Sequence, residues 1–251
     1  MHLLAHTWAK DRQGSEQQGV AWIAAGCVLT LSRSNTYTWQ RQERHLLLHV
    51  QPYLDIEISR MLSPRFQTIA VPILPLLKFG WALLDMRQDT RLGHLLKDIF
   101  IELRQNPEEL SQESLPLYDL QAQSLLNLGK NKKAVVLLEQ VVQIRGTTLR
   151  LDDSSRLASQ HALAGAYKAN GQVKEAVATL EQVVQIRGTT LMLDHPDRLT
   201  SQHALALAYK ANGQVKEAVT ILKQVVKIKQ SKLRESHPSR VVSDTSLLLT
   251  R

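Results

Sequence analysis

The sequence predicts an all-α fold: a right-handed solenoid of helix–turn–helix units behind an N-terminal helical region. Three observations carry that prediction. SQHALAGAYKANGQVKEAV at 159–177 returns as SQHALALAYKANGQVKEAV at 201–219, with only Gly165 and Leu207 differing. EQVVQIRGTTL stands at 139–149 and 181–191, and KQVVKIKQSKL follows at 223–233. Aromatic residues make up only 5% of the chain, so Leu, Val and Ala must form the core, a composition that suits helices. A fixed period of this length is the signature of stacked units, none of which can bury its apolar face alone.

Residues 1–60 come first in the chain and read as helical. MHLLAHTWAKDRQ is amphipathic, with Leu3, Leu4 and Trp8 toward one side, and WIAAGCVLTL and ERHLLLHVQPYLDIEI predict further helices. Residues 61–113 read as degenerate helical repeat, with helices around PLLKFGWALLDM and LGHLLKDIFIEL. The longest apolar run, 71–86, contains two prolines and a lysine and is too short to span a bilayer. No membrane partner is expected.

Residues 114–251 form the regular array, with units at about 114–155, 156–197 and 198–239 and a terminal helix at 240–251. In the second unit the first helix is predicted from about Leu157 to Asn170, with Leu163, Ala164 and Tyr167 on one side. Gly171 then supplies a left-handed helix end. The second helix is predicted from Val173 to about Leu191, with Val173, Ala176, Val177, Leu180, Val184 and Leu191 as its apolar stripe. Asp194-His195-Pro196-Asp197 opens the next unit, where an acid or histidine can cap and proline is tolerated. The third unit repeats this with Ala206, Tyr209, Gly213, Ala218 and Leu222. Ala164 and Ala176 must allow close helix approach. At the end of the array Leu248 replaces the small Ala206, either as a cap or because the array is truncated there.

The pattern L-A-x-x-Y…G…x-A…L resembles the tetratricopeptide repeat, whose usual unit is about 34 residues. A longer unit with an H-P-D link is similar to kinesin light chain repeats and to the C-terminal repeats of fungal NOD-like receptors. Where the light chains carry paired Asn, this chain has His161-Ala162 and His203-Ala204. The resemblance implies that His161, Gly165 and Lys168, with His203, Leu207 and Lys210, line a concave, protein-binding face. Its ligand would be a protein or peptide, and the lysines would suit an acidic one. The alternative reading of Lys168 and Lys210 is plain solvated surface.

M-H-x-L-x-H-x-W-A-x-D-R resembles the end of an NB-ARC winged helix. That resemblance implies a sensor portion of a NOD-like receptor and puts His2 at a vestigial nucleotide contact, although Leu3 replaces the motif's Asp. No G-x-x-x-x-G-K-[ST] phosphate loop occurs in the chain. The alternative is a kinesin light chain-like cargo adaptor.

The chemistry classes thin out quickly. His2 and His6 lack a third ligand, so no metal is expected, and no Ser-His-Asp or Cys-His arrangement can be drawn. No enzyme activity and no cofactor are expected. A net charge of +8 and a pI near 9.7 invite anionic partners. Nucleic acid is disfavoured, because no reader motif or aromatic-basic interleaving is present. The single cysteine, Cys27, fits a buried small side chain in a reducing, cytoplasmic protein. The basic stretch holding Lys223, Lys227, Lys229, Lys232, Arg234 and Arg240 reads either as a patch for an acidic partner or as a solvated helix surface. The oligomeric state is left open.

Overall fold

The computed structural model describes residues 73–85, 87–102 and 112–250, with positions 14, 17 and 110 besides. The expectations for His2, His6, Cys27 and the winged-helix resemblance of residues 1–60 lie outside the described residues, apart from those isolated positions. All regular structure among the described residues is helical. The chain divides into two compact units, 1–128 and 129–251.

The first unit holds α1 (Ile73–Asp85), α2 (Asp89–Glu102) and α3 (Leu115–Asn127). The first two stand where the sequence places helices. Phe79, Leu83, Leu92, Ile99, Leu117, Tyr118 and Leu120 form the core. Gly80 has to be glycine: a β-carbon there would collide with the Leu120 side chain, so the missing side chain lets α1 and α3 close up. The Phe100 and Tyr118 rings stack with centroids 4.9 Å apart. At the α1–α2 turn, Arg87 donates to the Asn127 side-chain oxygen at 3.3 Å, and Asn127 donates to Asp89 at 3.0 Å.

The second unit runs α4 (Asn131–Thr148), α5 (Ser154–Ala169), α6 (Val173–Thr190), α7 (Pro196–Ala211), α8 (Val215–Lys232) and α9 (Pro238–Leu248). Each helix packs chiefly on the next one in sequence, the one-dimensional order of a solenoid. Gly129, Gly171 and Gly213 take φ of 71°, 82° and 82° at the helix–helix turns, which only glycine adopts freely.

Ala164, Ala176, Leu180, Ala206, Ala218 and Leu222 are buried, as their spacing requires. Tyr167 and Tyr209 are half-buried and pack at the cluster edges. Burying each leucine contributes about 1.5–3 kcal/mol. Two details of the helices differ from the sequence reading. α5 begins at Ser154 rather than near Leu157, because the Asp153 carboxylate accepts from the Ser155 and Arg156 amides and so caps three residues earlier. The stripe of α6 also continues through Val183 into Arg187 instead of ending in Leu191, which stays half-exposed.

Candidate protein-binding face

The first helix of each pair, α5 and α7, carries the predicted face. Gly165 and Lys168 are exposed, and His161 is half-buried. One repeat on, Lys210 is exposed while His203 and Leu207 are half-buried. A β-carbon at Gly165 would meet nothing within 4 Å. The one position that varies within the copied stretch therefore opens to free space, and packing places no demand on it.

The two histidines hold different stations. Burial, then the cationic Arg187, lower the His161 pKa. Burial, then Lys229 and Lys168, push His203 down to about 4. Both imidazoles are thus neutral near neutral pH, and Lys168 is the exposed cation beside them. His203 Nδ1 lies 3.1 Å from the Ser243 hydroxyl and Nε2 lies 3.4 Å from that of Ser246, both on α9. Its ring is used within the stack. His161 Nδ1 is buried with no hydrogen-bond partner. The lysines also differ. Lys210 donates to the Leu249 carbonyl at 2.7 Å, at the negative end of α9, whereas Lys168 makes no such bond.

The sequence reading missed the clasp that orients these helices. A buried cation in the last turns of α4, α6 and α8 reaches across each link. Arg145 donates to the Ser155 carbonyl at 3.4 Å and Arg187 to the Asp197 carbonyl at 3.0 Å. Lys229 donates to the Ser239 carbonyl at 3.1 Å and to the Ser243 hydroxyl at 2.8 Å. A second arginine reaches back. Arg156 donates to the Gly146 and Leu149 carbonyls, Arg198 to those of Gly188 and Leu191, and Arg240 to that of Leu233. The carbonyls that Arg156, Arg198 and Arg240 reach lie at the ends of their helices, where the ladder supplies no further donor, so cations suit them. The signal was present as basic residues recurring in register with the apolar stripe.

Each link also carries its own cap. His195 Nδ1 accepts from the Asp197 amide and His237 Nδ1 from the Ser239 amide, each at 3.2 Å, as the H-P link predicts. The Tyr167 hydroxyl donates to Glu139 at 2.8 Å and that of Tyr209 to Glu181 at 2.6 Å. Burial, then the carboxylate partner, raise both phenols to about 12, so they stay protonated donors.

Of the basic stretch, Lys229 is buried, Lys232 pairs with Asp194 at 3.1 Å, and Arg240 lies near Glu235 and Asp244. Of that stretch, Lys223, Lys227 and Arg234 remain exposed and make no ion pair among the described residues. No helix among those residues is long and apolar enough to cross a membrane, and none of their His, Cys, Asp or Glu residues form a metal-binding group of three.

The tetratricopeptide repeat family profile matches residues 155–231. The chain is similar to a Podosopora anserina protein of nearly identical TPR-like repeats, assigned as a kinesin light chain. Identity is 45%, over 70% of this chain and 83% of that one, with a TM-score of 0.59. A glutamine-to-methionine form of the same protein gives 45% identity, 70% and 82% coverage, and a TM-score of 0.60. BtubC (BKLC) of P. vanneervenii shares the fold alone, at 11% identity over 95% of this chain and 83% of that one, with a TM-score of 0.60. No curated protein matches the chain.

Proposed function

The chain belongs to the tetratricopeptide repeat family, and from that premise we propose that it is a non-enzymatic, cytoplasmic scaffold that binds a protein segment along α5 and α7. One observation carries this reading. Within the copied stretch two successive repeats keep their buried residues and differ only at Gly165 and Leu207, where the first site faces open space. Variation confined to an accessible face is what a recognition surface requires, since there side chains meet a ligand rather than the core. Lys168 gives that face a charge with no partner among the described residues, which favours a carboxylate-bearing segment.

The finer reading is that this is the sensor portion of a fungal NOD-like receptor, with His2 a relic of its nucleotide contact. It rests on the resemblance of the opening residues. The alternative is a cargo adaptor, and the 45% identity to the Podosopora anserina repeats supports it. Sequencing the transcript upstream of Met1 separates the two: an in-frame phosphate-loop motif supports the receptor, and a heptad segment supports the adaptor.

The scaffold reading is tested by selecting binders to the full chain from a random peptide library. Selected peptides should lose at least about tenfold in affinity on Lys168→Glu. Ala178→Glu, on the exposed side of α6, should leave them unchanged. Failure to select any binder, or equal loss on both changes, contradicts the proposal.

A further inference from the structure

The outer surface of α8 departs from the repeat that produced it. α6 and α8 are both 18 residues long. Their buried apolar positions keep the same residues, Ala176 and Ala218, Leu180 and Leu222, Val183 and Val225, while the buried Arg187 becomes Lys229. Their exposed positions are not. Glu181 becomes Lys223, Gln185 becomes Lys227 and Thr190 becomes Lys232. α6 carries two cations and two carboxylates, whereas α8 carries five cations and one carboxylate, Glu217. The apolar packing was held constant while surface charge moved in one direction.

Two of the five cations are engaged, Lys229 inside the link and Lys232 with Asp194. Lys216, Lys223 and Lys227 are exposed and have no ion pair among the described residues. At positions i, i+7 and i+11 they fall within about 40° of one another around the helix, along about 16 Å of its length. Arg234 follows, exposed, in the link. The role of the 223 position has changed as well. In α6 the corresponding Glu181 accepts the Tyr209 hydroxyl, which a lysine cannot do. Thr220, Gln224 and Ser231, also exposed, complete the surface. No aromatic residue is present there to stack on a base, and the exposed apolar residue of α8, Val215, stands alone at the helix start, too little to enter a bilayer. A second copy of a chain of net charge +8 is a poor occupant for the same ridge.

We propose that this face of α8 is a second docking surface, distinct from α5 and α7, and that it takes an acidic segment of a partner protein with carboxylates one and two helical turns apart. The pairs are exposed and individually weak, so binding depends on several acting together and falls with salt.

The test uses the full chain and a fluorescent helical peptide bearing Glu at i, i+4, i+7 and i+11. Lys223→Glu with Lys227→Gln writes into α8 the residues that α6 already carries, so the variant keeps a helix this fold accommodates. At low salt the peptide should bind the unaltered chain, weaken at least about tenfold in that double variant and weaken further with added salt. It should be indifferent to Lys168→Glu. Loss on Lys168→Glu but not on the α8 variant would place the peptide on α5 and α7 and overturn the proposal, while leaving the α5–α7 reading intact. No peptide binding, or binding only to phosphatidylserine vesicles or to a DNA oligonucleotide, overturns it as well.

Discussion

The link between α6 and α7 and the link between α8 and α9 solve one problem with different side chains. In the first, Arg187 spans to the Asp197 carbonyl, and Arg198 returns to the Gly188 and Leu191 carbonyls. In the second, Lys229 reaches the Ser239 carbonyl, recruits the Ser243 hydroxyl, and leaves Arg240 to the Leu233 carbonyl. What the fold requires is therefore a buried cation that reaches a carbonyl in the first turn of the next helix, and the guanidinium is one way to supply it. The surroundings differ more. α7 is packed between α6 and α8, whereas α9 packs chiefly on α8 among the described helices.

That difference sets the largest expected effect. Arg187→Ala removes a buried side chain and its bond to the Asp197 carbonyl between two packed repeats, and should cost about 2–4 kcal/mol in urea unfolding. Lys229→Ala removes an equivalent bond, yet in a nearest-neighbour stack the damage should stay in α9. Amide exchange should then quicken in residues 238–248 and hold in α7. Equal global losses from the two changes would break the comparison.

Helix approach gives the next contrast. Ala206 is fully buried against α8, so Ala206→Leu should cost about 1–3 kcal/mol by overpacking. Leu248, in the same register, is 68% exposed, so Leu248→Ala should stay within about 0.5 kcal/mol.

The third contrast is in pH. His203 is held near 4, below its ordinary value of 6.5, by burial and by Lys229 and Lys168. The folded state prefers the neutral ring, so its contribution is intact above about 6.5 and is lost as pH falls from there toward 4. His203→Gln should flatten the thermal-stability profile over that window while leaving the profile above pH 7 flat.

A small gain in stability is expected at Gly165. It lies inside α5 with open space at its β-carbon, so Gly165→Ala should stabilise by about 0.5–1 kcal/mol. A loss would mean that the backbone there is constrained by something the helix alone does not explain.

Much of the array was legible because repetition amplifies weak signals. Ala164, Gly171 and Leu180 recur at Ala206, Gly213 and Leu222, and each recurs in the burial or backbone geometry its residue type implies. The link cations recur in register at Arg145, Arg187 and Lys229, but their burial was not legible, because a basic residue in a helix's last turn ordinarily reads as solvated. Only the tertiary position of the following helix turns Arg187 inward. His203 was legible as a surface residue by its spacing, but its use by Ser243 and Ser246 depends on α9, 40 residues on. Lys168 and Lys210 look equivalent in sequence and part company in space, since only Lys210 finds a helix end to bond.

The central claim is that the chain recognises a protein segment along α5 and α7. The most direct measurement is amide and side-chain exchange mapping of the full chain with and without a library-selected peptide. The account predicts protection centred on residues 158–168 and 200–210, lost with Lys168→Glu. Protection confined to α4, α6 and α8, or none at saturating peptide, would contradict it.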